Sequence, residues 1–142
     1  MNQPRNRLLL AAALLAVAAG CSTVGVARGE GGYAVVRPTV AHEMILDSQQ
    51  VVVFDLRPLT EFEGPLGHIE GAIPVPIATI EPRLPDLLAY RDTTVLVYGD
   101  NEEESRRGAR LLAEAGFENI VRIEGGIRTW IDLGYATVIT GR

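Results

Sequence analysis

The residues whose types could do chemistry lie at a turn between an apolar run and a helical stretch. Val95–Tyr98 predicts a buried strand, and residues 106–115 predict a helix. The seven residues between them are Gly99, Asp100, Asn101, Glu102, Glu103, Glu104 and Ser105. A turn from a strand into a helix is where α/β proteins usually place their chemistry. This turn carries carboxylates and one hydroxyl but no cysteine, histidine or lysine, so we expect no catalytic nucleophile in it.

The acidic run Glu102–Glu104 allows two interpretations. Carboxylate oxygens are ligands for hard cations, so the run could bind a cation or a partner, although no EF-hand spacing is present. Alternatively, Asn101 caps the following helix, Glu104 stands at its third position, and carboxylates favour the first helical turn. We favour helix capping and expect neither a metal site nor a cofactor. On the same helix, Glu103 is expected to pair with Arg107, four residues on.

Three further polar residues flank apolar runs. Asp55 and Arg57 follow Val51–Phe54, a predicted central strand, so they should lie at the carboxyl edge of the sheet. There they could line a pocket or brace the loops, and we favour bracing. His68 could serve as a base. Ser105 could be a nucleophile, but no histidine base is assigned beside it, so we expect Ser105 to have a structural role. The sequence has one cysteine, Cys21, which excludes an internal disulfide. With only two histidines beside it, zinc sites built from cysteine and histidine are excluded as well.

The first twenty residues have the pattern of a secretory signal peptide. Arg5 and Arg7 precede an apolar run, residues 8–19, that is too short for a hydrocarbon layer of about 30 Å. Cys21 directly follows Ala-Ala-Gly, which resembles a bacterial lipobox. We therefore expect residues 1–20 to be a lipoprotein signal peptide, 21–32 a lipidated N-terminus and flexible tether, and 33–142 the folded domain. Cleavage after Ala18, leaving a soluble periplasmic protein, is the alternative.

Lipidation of Cys21 would determine where the protein acts. Two or three acyl chains such as palmitate hold a protein on a membrane stably. Ser22 stands where aspartate would retain a lipoprotein in the inner membrane, so we expect the outer membrane, facing the periplasm. Loss of Arg5 and Arg7 leaves 11 basic and 18 acidic side chains, a net charge of −7. This charge argues against a nucleic-acid partner.

The remaining sequence alternates strand and helix patterns. Repeated β-α units predict a parallel sheet with helices on both faces. Two prolines place residues 72–76 at a sheet edge. A capping box is predicted at Thr60 and Glu63, and Pro85 is expected to interrupt a helix. The predicted strands cover residues 33–36, 51–54, 72–76, 94–98 and 120–123, and the predicted helices cover 38–47, 60–63, 80–90, 106–116 and 127–133.

Three sequence blocks, in this order, resemble the rhodanese-like family. They are Phe54–Arg57, then Gly67–Pro74, then Gly116-Phe117 through Gly125–Ile127 to Trp130 and Gly134-Tyr135. The resemblance spans roughly residues 33–139. It implies a three-layer α/β/α fold with a five-stranded parallel sheet, and it implies a structural role for His68, bonded to loop backbone. In active members it also implies transfer of sulfane sulfur through a cysteine persulfide.

The resemblance places that cysteine at Gly99, which has no side chain to carry sulfur. Persulfide chemistry requires a thiolate whose pKa is lowered by a helix N-terminus and nearby cations. Asp100 and the three glutamates would also oppose an anion such as thiosulfate, since one like-charge contact at 4 Å costs about 4 kcal/mol at an effective dielectric of 20. We therefore expect a non-catalytic binding or scaffold module with an envelope protein partner. The alternatives are cation-dependent hydrolysis at the acidic turn and non-covalent binding of sulfur compounds.

Overall fold

Apolar runs rich in β-branched residues form the strands of one six-stranded sheet. The computed structural model describes residues 27–28, 31–48 and 50–140. The strands are β1 (Ala27–Arg28), β2 (Ala34–Val36), β3 (Val51–Asp55), β4 (Ile73–Pro74), β5 (Thr94–Tyr98) and β6 (Ile120–Ile123). Their order in the sheet is β1-β2-β6-β5-β3-β4. The five neighbouring strands β2, β6, β5, β3 and β4 are parallel to one another, as predicted. The sixth strand, β1, pairs antiparallel with β2.

Four helices connect the parallel strands, a fifth follows the last strand, and together they cover both faces of the sheet. They are α1 (Pro38–Asp47), α2 (Leu59–Phe62), α3 (Ile80–Leu87), α4 (Glu102–Glu114) and α5 (Gly126–Asp132). Short 3₁₀ turns flank α3 at Ile77–Thr79 and Leu88–Tyr90. No helix in the described ranges is long and apolar enough to cross a membrane.

The core has two halves, one on each face of the sheet, because successive side chains of the central strands point to opposite faces. In β5, Val95 and Val97 pack with α3 and α4, whereas Leu96 and Tyr98 pack with α1, α2 and α5. All four of these side chains are fully buried, because a central parallel strand is covered on both faces. The three-layer α/β/α prediction is confirmed.

Several local predictions were correct and others were wrong. The edge position of the proline-rich strand is confirmed in β4. The capping box at Thr60 is wrong: α2 starts at Leu59 without a side-chain cap, because a bond from the Arg57 amide to Asp55 Oδ1 (3.0 Å) turns the chain earlier. Pro85 lies inside α3 and does not end it. It removes one helical hydrogen bond, while Ile80 and Leu87 anchor the two ends of the helix in the core.

The N-terminal predictions fall mostly outside the described residues. The signal peptide at residues 1–20 and the proposed lipidation site Cys21 belong to that part of the chain. Within the expected tether, Ala27 and Arg28 pair with Val35 and Ala34. The prediction of a flexible tether is therefore wrong for these two residues, since backbone pairing with the edge of β2 holds them.

Candidate functional site

The strand register brings four loops together at the carboxyl edge of the sheet. Asp55 at the end of β3 lies beside Tyr98 at the end of β5 and beside Pro74 in β4. The turn that follows β5 also contacts the start of α5, where the Ile127 amide donates to the Gly99 carbonyl at 3.1 Å. Loops that are distant in the chain therefore meet around the turn, as expected for parallel strands.

Asp55, Arg57 and Tyr98 form a fully buried hydrogen-bonded network beneath these loops. Arg57 Nη2 lies 2.5 Å from Asp55 Oδ2, and Arg57 Nε lies 3.0 Å from Asp55 Oδ1. The Tyr98 hydroxyl donates to Asp55 Oδ2 at 2.6 Å and accepts from the Ile69 amide at 3.1 Å. Because all three side chains are inaccessible to water, the network ties β3, β5 and the Ile69 loop together.

The charge state of this network follows from its burial and its partners. Burial lowers the pKa of Arg57, but hydrogen bonding and charge attraction from Asp55 outweigh it, so the net shift of that pKa is upward. Burial, reinforced by Asp55, raises the pKa of Tyr98 far above its ordinary value. Arg57 therefore stays cationic and Tyr98 neutral. Arg57 Nη2 also donates to the Gly67 carbonyl at 2.7 Å, so Arg57 links β3 to the loop that precedes His68.

His68 is held by backbone on both sides and by an aromatic neighbour. Its Nδ1 lies 3.1 Å from the Phe62 carbonyl, and its ring stacks on Phe62 with centroids 3.7 Å apart. Its amide and carbonyl both bond to Val138. The ring is buried against α2, in contacts of the kind that the structural role implied by the resemblance requires.

Asn101 caps α4 as predicted, but Glu104 does not complete an ordinary capping box. Asn101 Oδ1 accepts from the Glu104 amide at 2.9 Å. In a capping box the glutamate would accept from the capping residue itself. Here Glu104 Oε2 accepts from the amide of Asp100, one residue earlier, at 3.0 Å. The carboxylate therefore folds back over the turn.

Arginines pair with three of the four acids of the turn, and two of these arginines, Arg122 and Arg128, come from distant elements. Arg128 Nε donates to Asp100 at 3.0 Å, and Arg106 Nη1 donates to Glu103 at 3.0 Å. The predicted pairing of Glu103 with Arg107 is wrong, because the observed partner is one residue closer. The sequence prediction also missed Arg128, since 28 residues separate it from Asp100.

Glu102 joins α4 to β6 and the loop after it. Its carboxylate pairs with Arg122 and also accepts from the Gly125 amide. Arg122 projects from β6 toward α4, and only 7% of its side chain is exposed. Ser105 is fully buried beneath this pair and donates to the Glu102 carbonyl at 3.1 Å. Ser105 therefore has a structural role, as expected, and the turn carries much less unbalanced negative charge than its sequence suggests.

Two cavities lie on either side of the turn. The larger, about 620 Å³, has apolar walls from the β3–α2 loop and the segment after β4, and Asn101, Glu103, Glu104 and Arg107 form its polar side. The smaller, about 230 Å³, is lined by Arg57, Thr60, Glu61, Pro65, Leu66, Asp100 and Arg128. In the described part of the chain, no three His, Cys, Asp or Glu side chains lie close enough to hold a metal ion.

Glu61, on α2, reports the electrostatics of the smaller cavity. Partial burial raises the pKa of Glu61, and repulsion from Asp100 and Glu104 raises it further, against a smaller opposing effect of Arg57. The cavity thus contains both signs of charge. Arg57 is buried beneath the cavity wall and pairs with Asp55, so a ligand there would meet the exposed guanidinium of Arg128 together with the carboxylates of Glu61 and Asp100.

A parallel sheet covered on both faces, with loops converging on the β5–α4 turn, defines an α/β protein with its site at the carboxyl edge. The family model described as Rhodanese-like domain matches residues 38–133. The chain belongs to the rhodanese-like family.

Similar proteins and structures agree with this assignment. An uncharacterized protein of Synechocystis, slr1261, is 33% identical over 99 residues, which cover 69% of this chain and 52% of that protein. The rhodanese-like domain of the Alr3790 protein from Anabaena is 26% identical, with a TM-score of 0.65 over 75% of this chain and 80% of that one. A rhodanese-related protein from Thermoplasma volcanium is 28% identical, with a TM-score of 0.64 over 74% and 97%.

The curated relatives are longer than this chain. The chain spans about half of the Synechocystis protein and about a quarter of a tRNA uridine(34) hydroxylase from Cronobacter sakazakii. Similarity therefore covers the domain that these proteins share.

Proposed function

We propose that this protein is a membrane-anchored envelope lipoprotein whose rhodanese-like domain is a non-catalytic binding or scaffold module. The observation that carries the proposal is Gly99 at the β5–α4 turn, where the family resemblance places the sulfur-carrying cysteine. Glycine offers no atom to which sulfur could be transferred. The fold around the turn is otherwise intact, including the buried Asp55–Arg57 pair.

The contacts of Ser105 and His68 support the proposal that neither residue replaces the cysteine as a nucleophile or its base. Ser105 is buried and bonded to helix backbone, and His68 lies against Phe62 on α2. A serine nucleophile needs a base within hydrogen-bonding reach. The partners of the Ser105 hydroxyl are the Glu102 carbonyl and Arg122 Nη1, and an arginine is not a base.

The direct test of the proposal is a sulfurtransferase assay on the purified chain. Thiosulfate and cyanide are supplied, and thiocyanate formation is followed against a chain carrying Asp100→Asn and Glu104→Gln. We expect both proteins to match the uncatalysed rate. Turnover above that rate that the loop substitutions reduce would contradict the proposal.

Membrane attachment is tested separately, through Cys21. Mass spectrometry of the mature N-terminus from envelope membranes should find an acylated cysteine as the first residue, and Cys21→Ser should release the protein into the soluble fraction. Ser22→Ala is the matched control for anchoring, because it changes a neighbouring hydroxyl and leaves the thiol. A mature N-terminus at Ala19 would support the soluble periplasmic alternative.

The search for a protein partner compares the native acidic turn with a turn whose four carboxylates are neutralised. The chain is used to capture proteins from envelope membranes, in parallel with a chain in which Asp100 and Glu102–Glu104 are replaced by Asn and Gln. A partner that binds through this turn should be lost from the second capture. A control chain with Glu114→Gln and Glu118→Gln, changed at the last residue of α4 and just beyond it, should retain it.

The smaller cavity favours a second candidate function, non-covalent binding of small sulfur anions. Arg128, whose side chain is 64% exposed, lines this 230 Å³ cavity beside the turn, and the buried Arg57 lies beneath its wall. A ligand present at 100 times its Kd stabilises a protein by about 2.7 kcal/mol, so thiosulfate or sulfite should raise the Tm of the chain, and Arg128→Gln should reduce that rise.

The cation alternative has less support, because Asp100, Glu102 and Glu103 already pair with arginines. Calorimetry with calcium, magnesium and manganese tests it. Binding of one of these cations near millimolar concentration would favour this alternative.

A further inference from the structure

The Glu104 carboxylate lies against the place that a side chain at position 99 would occupy. A Cβ atom added to Gly99 would be 2.9 Å from Glu104 Oε2 and 3.4 Å from Glu104 Cβ. The same Oε2 accepts from the Asp100 amide at 3.0 Å. One oxygen therefore both fills the space over Gly99 and bonds to the backbone of the turn.

The turn favours an anion in this place for two physical reasons. It lies at the N-terminus of α4, a 13-residue helix whose unpaired amides and dipole attract negative charge. The cap between Asn101 and the Glu104 amide also holds Glu104 in the first helical turn. From this position the Glu104 side chain reaches back to the Asp100 amide. The anion at this turn is therefore the Glu104 carboxylate of the protein itself.

Resting on the proposed non-catalytic function, we propose that Glu104 is an internal occupant of the turn that excludes external anions and any reactive side chain at position 99. The turn is filled and not vacant. A thiol restored at position 99 would consequently stay unreactive until Glu104 is also removed.

The test uses the full chain with Cys21→Ser as background, so that the only thiol is the introduced one. Gly99→Cys is combined with either Glu104→Ala or Glu103→Ala. The two double variants lose the same charge at adjacent residues, but the Glu103 side chain is 81% exposed and points to Arg106. Any difference in thiol reactivity between the two double variants therefore comes from where the removed carboxylate lies and not from the loss of one charge.

The measured quantity is the rate of thiol alkylation by iodoacetamide as a function of pH. A carboxylate in contact raises a thiol pKa, and one pKa unit corresponds to about tenfold in thiolate fraction. With Glu104→Ala we expect alkylation at pH 7 to be roughly tenfold faster than with Gly99→Cys alone. With Glu103→Ala we expect a change below about twofold. Equal rates in the two double variants would overturn the proposal.

Reaction with thiosulfate should follow the same order. The introduced thiolate attacks the outer sulfur of thiosulfate, a new S–S bond forms, the S–S bond of thiosulfate breaks, and sulfite leaves with the electron pair. We expect faster sulfite release with Glu104→Ala than with Glu103→Ala. Sulfite release by the Gly99 chain itself would instead contradict the proposed function, so the two failures are distinguishable.

A second measurement needs no substitution at Gly99. Amide hydrogen exchange at Asp100 is compared in Glu104→Ala and Glu103→Ala. Loss of the bond to Glu104 Oε2 should accelerate exchange at this amide several-fold, and Glu103→Ala should leave it unchanged. Unaltered exchange in Glu104→Ala would show that the carboxylate does not occupy the turn.

Discussion

At the scale of single residues, the hydroxyl of Tyr98 connects segments far apart in the chain. It bonds to Asp55, 43 residues earlier, and to the Ile69 amide, 29 residues earlier. Both bonds are buried, and a buried donor or acceptor that loses its partner bears the full cost of desolvation. This one atom therefore contributes to the stability of the whole carboxyl edge.

We expect Tyr98→Phe to lower the free energy of unfolding by about 1–3 kcal/mol, because the Ile69 amide loses its acceptor in the core. Urea denaturation measures the change. Tyr90→Phe is the control: its ring packs edge-on against Phe54, and in the described part of the chain its hydroxyl has no hydrogen bond. A loss in Tyr90→Phe as large as that in Tyr98→Phe would contradict the role of the Tyr98 hydroxyl.

Glu61 provides a prediction of pH dependence. Because its pKa is raised in the folded state, ionisation of Glu61 opposes folding at neutral pH, and this penalty disappears as the pH falls through the raised pKa. Glu61→Gln should therefore stabilise the protein slightly at pH 7, by less than about 0.5 kcal/mol, and have no effect below the ordinary glutamate pKa. Thermal unfolding at pH 7 and pH 4 measures this difference.

The control for Glu61→Gln is Glu118→Gln, which makes the same charge change near the amino end of β6. If both substitutions raise the Tm equally at pH 7, net charge explains the effect and repulsion from Asp100 and Glu104 does not.

At the scale of elements, the first turn of α4 is fastened at two places. Asn101 satisfies the Glu104 amide, and Glu102 pairs with Arg122 and the Gly125 amide. These contacts hold the helix start against β6 and the beginning of α5. The turn is therefore positioned by a local cap together with a long-range ion pair.

Asn101→Ala should cost about 1 kcal/mol of stability, the usual effect of removing an N-cap. Asn101→Ser should recover most of it, because serine caps about as well as asparagine. Urea denaturation followed by far-UV circular dichroism measures both variants. An alanine variant as stable as the parent chain would mean that the contacts of Glu102 suffice to hold the helix start.

At the scale of the whole molecule, the two halves of the core share the same strands. Leu112 of α4 packs on one face of the sheet, and Trp130 of α5 packs on the other. Adjacent residues of β5 project into both halves. We therefore expect one cooperative unfolding transition, as is usual for domains of this size.

Leu112→Ala tests this coupling. Removing a fully buried leucine side chain should cost about 2–5 kcal/mol. The urea midpoint followed by Trp130 fluorescence on the opposite face should shift as far as the midpoint followed by circular dichroism. A Trp130 midpoint that stays in place while the other moves would indicate that the α1–α5 side unfolds on its own.

The sequence by itself predicted the five parallel strands, the edge position of β4, the Asn101 cap and the structural roles of Asp55, Arg57 and His68. These features depend on patterns within a few residues or on ordered family blocks. Strand periodicity determines which side chains face each half of the core, and a helix N-cap is satisfied within its own first turn. Residues close together in the chain are therefore sufficient to predict the strand faces and the N-cap.

Only the tertiary structure decided the electrostatics of the turn and the partners of the buried network. Arg122 and Arg128 reach Glu102 and Asp100 because the β5–β6 register places β6 beside the turn and the start of α5 bonds to Gly99. The placement of Glu104 over Gly99 likewise depends on how the chain bends between β5 and α4. Pairing between charges 20 or more residues apart leaves no local pattern, because chain folding and not spacing along the sequence sets the distance between them.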